Sequence, residues 1–157
     1  MSAAIDWRKV RNYIIAILVP VVLGGLVGFW TSQFMDYEML EKPVLSPPGA
    51  VFPVVWTILY ILMGVSYGML KNKNKLDLVD VGVYYGQLFV NLLWPIFFFI
   101  LKARLFAFFW IVLLAVLVIT MAVHFYRKDE TAGLLQIPYA AWVVFATYLN
   151  LFVVLLN

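Results

Sequence analysis

The chain has 157 residues, 66% of them hydrophobic and 12% charged, with a mean hydropathy of +0.99. A soluble domain is about half apolar and about a quarter charged. The balance therefore argues against a soluble enzyme or a nucleic-acid-binding domain, and it excludes intrinsic disorder. No cysteine is present, which removes disulfides, iron–sulfur clusters, thiolate zinc sites and cysteine nucleophiles.

The charges fall in short islands. Between them lie five uncharged runs: Asn12 to Met35, Val51 to Leu70, Val81 to Leu101, Leu105 to Tyr126 and Thr131 to Asn157. Each is about 20 residues or longer, enough to cross about 30 Å of hydrocarbon as a helix. One Asp, Lys or Arg at mid-span would cost about 2.5–3.5 kcal/mol, and none of the runs holds one. The pattern predicts an all-α membrane protein: a five-transmembrane-helix bundle forming one domain over residues 1–157. Its helices are expected near 10–34, 51–71, 79–101, 105–127 and 131–156.

The first run follows Arg8, Lys9 and Arg11 but is longer than a signal-peptide core and lacks a clean small-residue cleavage site, so a retained helix is expected. The connection over residues 36–50 is the longest. It carries Asp36, Glu38 and Glu41, then Lys42, with Pro43, Pro47 and Pro48 close together. Prolines stiffen the chain and remove donors, which suits either a lid over the bundle, one that rearranges when ligand binds, or a plain turn. The remaining connections are short, so successive helices should be antiparallel neighbours.

Five spans put the termini on opposite sides. The N-terminal side carries eight Lys and Arg (Arg8, Lys9, Arg11, Lys71, Lys73, Lys75, Arg127, Lys128), and the other side three (Lys42, Lys102, Arg104). The bias places the N-terminus in the cytoplasm.

Catalytic motifs are missing: there is no H-E-x-x-H, no G-x-S-x-G and no aspartate pair inside a span. The only histidine, His124, has no partner ligand near it in sequence. No metal site is expected, and no ionisable group lies within a run to couple active transport.

The spans instead carry aromatic and amide residues at helical spacing. The third has Tyr84, Gln87, Asn91, Trp94 and Phe98 on one face; the second has Trp56, Tyr60, Met63 and Tyr67; the fifth has Tyr139, Trp142, Ala146 and Asn150. Unpaired amides are costly in lipid, so these faces should turn inward. They suit ordinary packing and a neutral pocket for a large, flat, apolar ligand about equally. Gly24 and Gly28, Gly64 and Gly68, and Gly82 and Gly86 are each four apart, a spacing that permits close helix approach. Pro95 should kink the third helix or free the carbonyl of Asn91.

Three stretches resemble one family. Leu40-Glu41-Lys42-Pro43, Ser46-Pro47-Pro48, Val51-Phe52-Pro53, Trp56-Thr57 and Leu59-Tyr60 are similar to the first loop and second helix of the tryptophan-rich sensory protein (TspO, or translocator protein) family. Tyr84, Gln87-Leu88, Asn91, Trp94 and Phe97-Phe98 resemble its third helix. Pro138-Tyr139, Trp142, Phe145-Ala146-Thr147 and Leu149-Asn150 resemble its fifth.

The resemblance implies a membrane receptor or sensor, often dimeric, in a bacterial or archaeal cell membrane. It would bind porphyrins such as protoporphyrin IX or haem, carry no resident cofactor, contact the lipid bilayer and bind no nucleic acid. It would regulate tetrapyrrole handling or stress responses; a tetrapyrrole carrier and a light-dependent porphyrin-degrading enzyme are the alternatives. The implied ligand-binding residues are Trp56, Tyr60, Gln87, Asn91, Trp94, Tyr139, Trp142 and Ala146, beneath a lid with Pro43, Pro47 and Pro48. Trp56 and Trp142 would serve any photo-oxidative chemistry, and otherwise no catalytic residue is implied. Family members carry one or two tryptophans between the Lys-Pro and Pro-Pro of the loop, where this chain has Val44-Leu45. The end of the fifth helix, Leu149 to Asn157, lacks the Tyr and basic residue of the animal sterol pattern, so specific cholesterol binding is not expected.

Overall fold

A computed structural model of the chain describes residues 5–157. Its elements are α1 (Trp7–Ser32), α2 (Val51–Asn72), α3 (Leu78–Pro95), α4 (Arg104–Lys128), α5 (Glu130–Leu134) and α6 (Ile137–Leu156), with a 3₁₀ turn at Tyr37–Met39. Five segments are long and apolar enough to cross a membrane, the fifth formed by α5 and α6 together.

Helices that begin at the N-terminal end of the bundle are capped by aspartate. Asp6 accepts the backbone N–H of Arg8 at 3.1 Å. Asp77 and Asp80 cap each other's backbone N–H at 2.9 Å, and Asp129 accepts from Ala132 N–H at 3.1 Å. Each such side chain satisfies an N–H that the first turn leaves without a helical partner.

The core lies among α2, α3, α4 and α6, where Met63, Tyr84, Ile111, Met121, Phe125 and Tyr139 are buried. α1 packs chiefly on α2. Their contact is nearly backbone to backbone: a methyl built on Gly64 would lie 2.5 Å from the carbonyl oxygen of Ala16 and from the Cα of Ile17. Pro20 has no N–H to return to that Ala16 carbonyl, and the missing Gly64 side chain lets it approach α2. Gly24 against the Tyr60 ring and Gly68 against Tyr13 are similarly tight, whereas Gly28, Gly82 and Gly86 face open space. Half of the glycines expected to mediate close approach therefore do not.

Two proline effects depart from unbroken helices. Pro95 ends α3 and the chain continues as a π-turn over Ile96–Ile100, closed by Leu101 N–H on Ile96 O at 2.9 Å. The fifth span was expected as one helix over residues 131–156. Instead Pro138 lies in the first turn of α6: it has no N–H to bond the Leu134 carbonyl, and a turn at Leu135–Gln136 separates α5 from α6.

The N-terminal end is stitched by polar contacts. Asn12 Nδ2 donates to Asn72 Oδ1 at 2.7 Å, Lys73 pairs with Asp129 at 2.5 Å, and Lys128 bridges Asp77 and Asp80. The Lys128 ammonium, followed by the Asp80 N–H, holds the Asp77 carboxyl down to about 2. The Lys73 ammonium, then the Ala132 N–H, likewise lowers the Asp129 carboxyl. Asp80 is fully buried, although it lies one residue outside the uncharged run. His124, expected to lack a partner, has its Nδ1 3.8 Å from Asp80 Oδ1; the two approach because α3 and α4 are antiparallel neighbours, which local spacing does not reveal.

At the opposite end the connection over residues 36–50 folds back onto the bundle. Asp36 pairs with Arg104 at 2.6 Å and Lys102 at 3.4 Å. Leu40 is buried with Phe98, Phe99, Ala107 and Val153. The Asn157 side chain exchanges two hydrogen bonds with the backbone of Glu41, at 3.0 and 3.1 Å, and Tyr37 donates its hydroxyl to Pro47 O at 2.8 Å. The first half is thus fastened down and Pro43 is buried, while the tip at Val44 and Leu45 is exposed.

Candidate ligand-binding cavity

A cavity of about 390 Å³ opens in the lid-side half of the bundle, within the range of small-molecule sites. Four helices wall it. α2 supplies Phe52, Trp56, Thr57 and Tyr60; α3 supplies Asn91 and Trp94; α6 supplies Ala146 and Asn150; α1 closes the remaining side. The connection contributes Tyr37 and Gly49 to the lining.

Five of the eight expected ligand-binding residues line the space: Trp56, Tyr60, Asn91, Trp94 and Ala146. Tyr139, Gln87 and Trp142 do not. Tyr139 and Gln87 are fully buried and form the layer beneath the cavity. There Tyr60 donates its hydroxyl to Asn91 Oδ1, Asn91 Nδ2 donates to the Tyr139 oxygen, and Tyr139 donates to Gln87 Oε1, each at 2.7 Å. Gln87 Nε2 completes the row on Met63 Sδ at 3.2 Å. This row pairs the amides that lipid would not tolerate, and it seals the cavity toward the N-terminal end. Trp142 stands one ring behind the wall, edge-on to Phe52 at 5.8 Å between centroids.

Trp94 is held in place rather than free. Its Nε1 donates to Asn150 Oδ1 at 3.0 Å, and its ring stacks on Phe98 at 4.9 Å. Asn150 is tied in turn to the Arg104 carbonyl at 3.1 Å. None of the three prolines named for the lid lines the space; Gly49 and Tyr37 do.

Sequence reasoning missed Tyr37, Gly49, Phe52 and Thr57 as lining residues and the whole of the α1 wall, notably Gly25 and Gly28, where an added Cβ would meet nothing within 4 Å. Only Ala16, Pro20 and Thr31 of α1 are buried. A wall of missing side chains leaves no aromatic or polar stripe to detect; its one sequence signal was the Gly24/Gly28 spacing, read as packing.

The fold and site define a multi-pass membrane protein with an uncharged cavity between its helices. The TspO/MBR family profile matches residues 16–156. The chain is 37% identical over 156 residues to the "Tryptophan-rich protein TspO" of Chlorobaculum tepidum, covering 94% of this chain and 99% of that one. It is 35% identical over 152 residues to the protein of the same name from Archaeoglobus fulgidus, covering 95% and 99%. To the human "Translocator protein" it is 35% identical over 138 residues, covering 82% and 80%. The chain belongs to the TspO/MBR family.

Proposed function

We propose that this chain is a membrane receptor whose cavity takes the ring of a porphyrin or a related flat, apolar ligand, and that occupancy regulates tetrapyrrole handling or a stress response. The observation that carries the reading is the wall itself. Trp56 and Trp94 present indole rings to an uncharged space, and Asn91 offers an amide. One relative is named "Tryptophan-rich sensory protein", from Cereibacter sphaeroides, at 31% identity over 157 residues. Charged substituents of such a ligand would stay at the lid-side mouth.

Stacking on an aromatic ring is worth about 0.5–1.5 kcal/mol beyond burial, and burial adds about 25 cal/mol per Å² of apolar surface. Trp56→Ala should therefore weaken protoporphyrin IX binding by about tenfold or more. Trp30→Phe, at an exposed position outside the cavity, should leave it unchanged. Fluorescence titration in nanodiscs reads both, and equal affinities for Trp56→Ala and the native chain would remove the ligand from this cavity. A carrier needs a route to both faces, whereas the buried row from Tyr60 to Gln87 closes one side. Binding without porphyrin flux into sealed liposomes supports the receptor; saturable flux supports a carrier.

We also infer that the N-terminus is cytoplasmic, from the eight-to-three bias in Lys and Arg. A cysteine at exposed Val44 should react with an impermeant maleimide in intact cells, and one at exposed Lys75 should not. The reverse pattern would invert the orientation.

A further inference from the structure

The hydrogen bonds of the cavity wall run in one direction. Thr31 donates its hydroxyl to Val27 O at 2.9 Å, Ser32 to Phe29 O at 2.7 Å, and Thr57 to Pro53 O at 2.8 Å. This back-bonding is usual for Ser and Thr in apolar helices. Tyr60 and Tyr37 donate to Asn91 Oδ1 and Pro47 O, and Trp94 Nε1–H goes to Asn150 Oδ1. Every hydroxyl hydrogen on the wall is therefore directed into the protein, while each hydroxyl oxygen keeps an acceptor lone pair.

Little is left to donate. Among the side chains lining the cavity, the indole N–H of Trp56 and one amide hydrogen each of Asn91 and Asn150 remain uncommitted. No Lys, Arg, His, Asp or Glu lines the space. The nearest cations at the lid are already engaged: Lys102 and Arg104 by Asp36, and Lys42 by Glu38 and the Tyr37 carbonyl.

A carboxylate entering such a site would lose its hydration and find no cation and few donors, which is costly in an apolar surround. A neutral ligand with its own N–H or O–H would meet unfilled lone pairs and aromatic faces. We propose that this cavity selects uncharged, flat, lipophilic molecules that bring a hydrogen-bond donor, and rejects carboxylates from its interior. The inference rests on the reading of this cavity as a ligand site, but not on the ligand being a porphyrin.

Three two-ring probes of nearly equal size separate donor from charge: 2-naphthol, 2-methoxynaphthalene and 2-naphthoate. Calorimetric titration of the native chain in nanodiscs, with empty nanodiscs subtracted, should show 2-naphthol binding about fivefold tighter than the methyl ether, the worth of about one neutral hydrogen bond. It should show 2-naphthoate at least about tenfold weaker than 2-naphthol. Naphthoate binding as tightly as naphthol, the ether matching naphthol, or no binding by any of the three would each overturn the proposal. If the predicted order holds and protoporphyrin IX fails to bind, the porphyrin reading falls and the donor-selective cavity stands.

Discussion

Gly64→Ala is expected to destabilise the folded bundle, although the same change at Gly82 is expected to strengthen it. Replacing a helical glycine by alanine contributes about 1 kcal/mol through backbone entropy. At Gly82 nothing lies within 4 Å of the new methyl, so that gain is kept. At Gly64 the methyl would sit 2.5 Å from Ala16 O and from Ile17 Cα. Both are backbone atoms of α1, and no rotamer change relieves them. Overpacking of this kind costs about 1–3 kcal/mol and occasionally more, so the clash outweighs the propensity gain. Gly64→Val should exceed it further and prevent α1 from docking. Thermal denaturation in detergent checks the pair: the melting temperature should fall for Gly64→Ala and rise or hold for Gly82→Ala. Equal shifts would mean that the α1–α2 contact does not depend on the missing side chain.

Gly28→Leu is expected to abolish most ligand binding without harming the fold. Gly28 lines the cavity, and an added Cβ has open space around it. A leucine there occupies volume that the ligand needs, while its helix propensity improves on glycine. Affinity for any cavity ligand should fall by about tenfold or more, with the melting temperature unchanged or higher. Gly28→Ala should give an intermediate loss. A variant that binds normally would show that α1 can swing outward far enough to restore the space.

Hydropathy made the five spans legible, because an apolar run of bilayer length has few other uses. The expected third and fourth spans, 79–101 and 105–127, differ by one residue at each end from Leu78–Ile100 and Arg104–Lys128. The break at Leu135–Gln136 was not legible, since the run stays uncharged across it and the single amide of Gln136 does not interrupt its hydropathy. Within the site, a stripe of polar and aromatic residues marks a face that turns inward, but it does not say how deep. Trp56, Asn91 and Gln87 all obey the same periodicity. Only the three-dimensional arrangement separates the two that touch the cavity from Gln87, which is spent on Tyr139. The α1 wall escaped because glycine announces itself by absence. The contact between His124 and Asp80 escaped because it joins residues 44 positions apart on different helices.

The uneven seating of α1 has a mechanical consequence. Toward the N-terminal end it is fastened by Asn12 to Asn72 and by backbone contact at Gly64. Beyond Gly24 its inward side borders the cavity and its outward residues Leu26 and Trp30 contact the surroundings. In a membrane those surroundings are acyl chains, so lipid forms the far buttress of this wall. Lateral pressure and bilayer thickness then act on α1 as a lever pivoted near Gly64. A thicker or more tightly packed membrane would press the lever inward and shrink the space. The same polypeptide would thus hold a given ligand with an affinity that depends on the membrane around it, and measurements in detergent and in bilayers would report different values for one unchanged set of contacts.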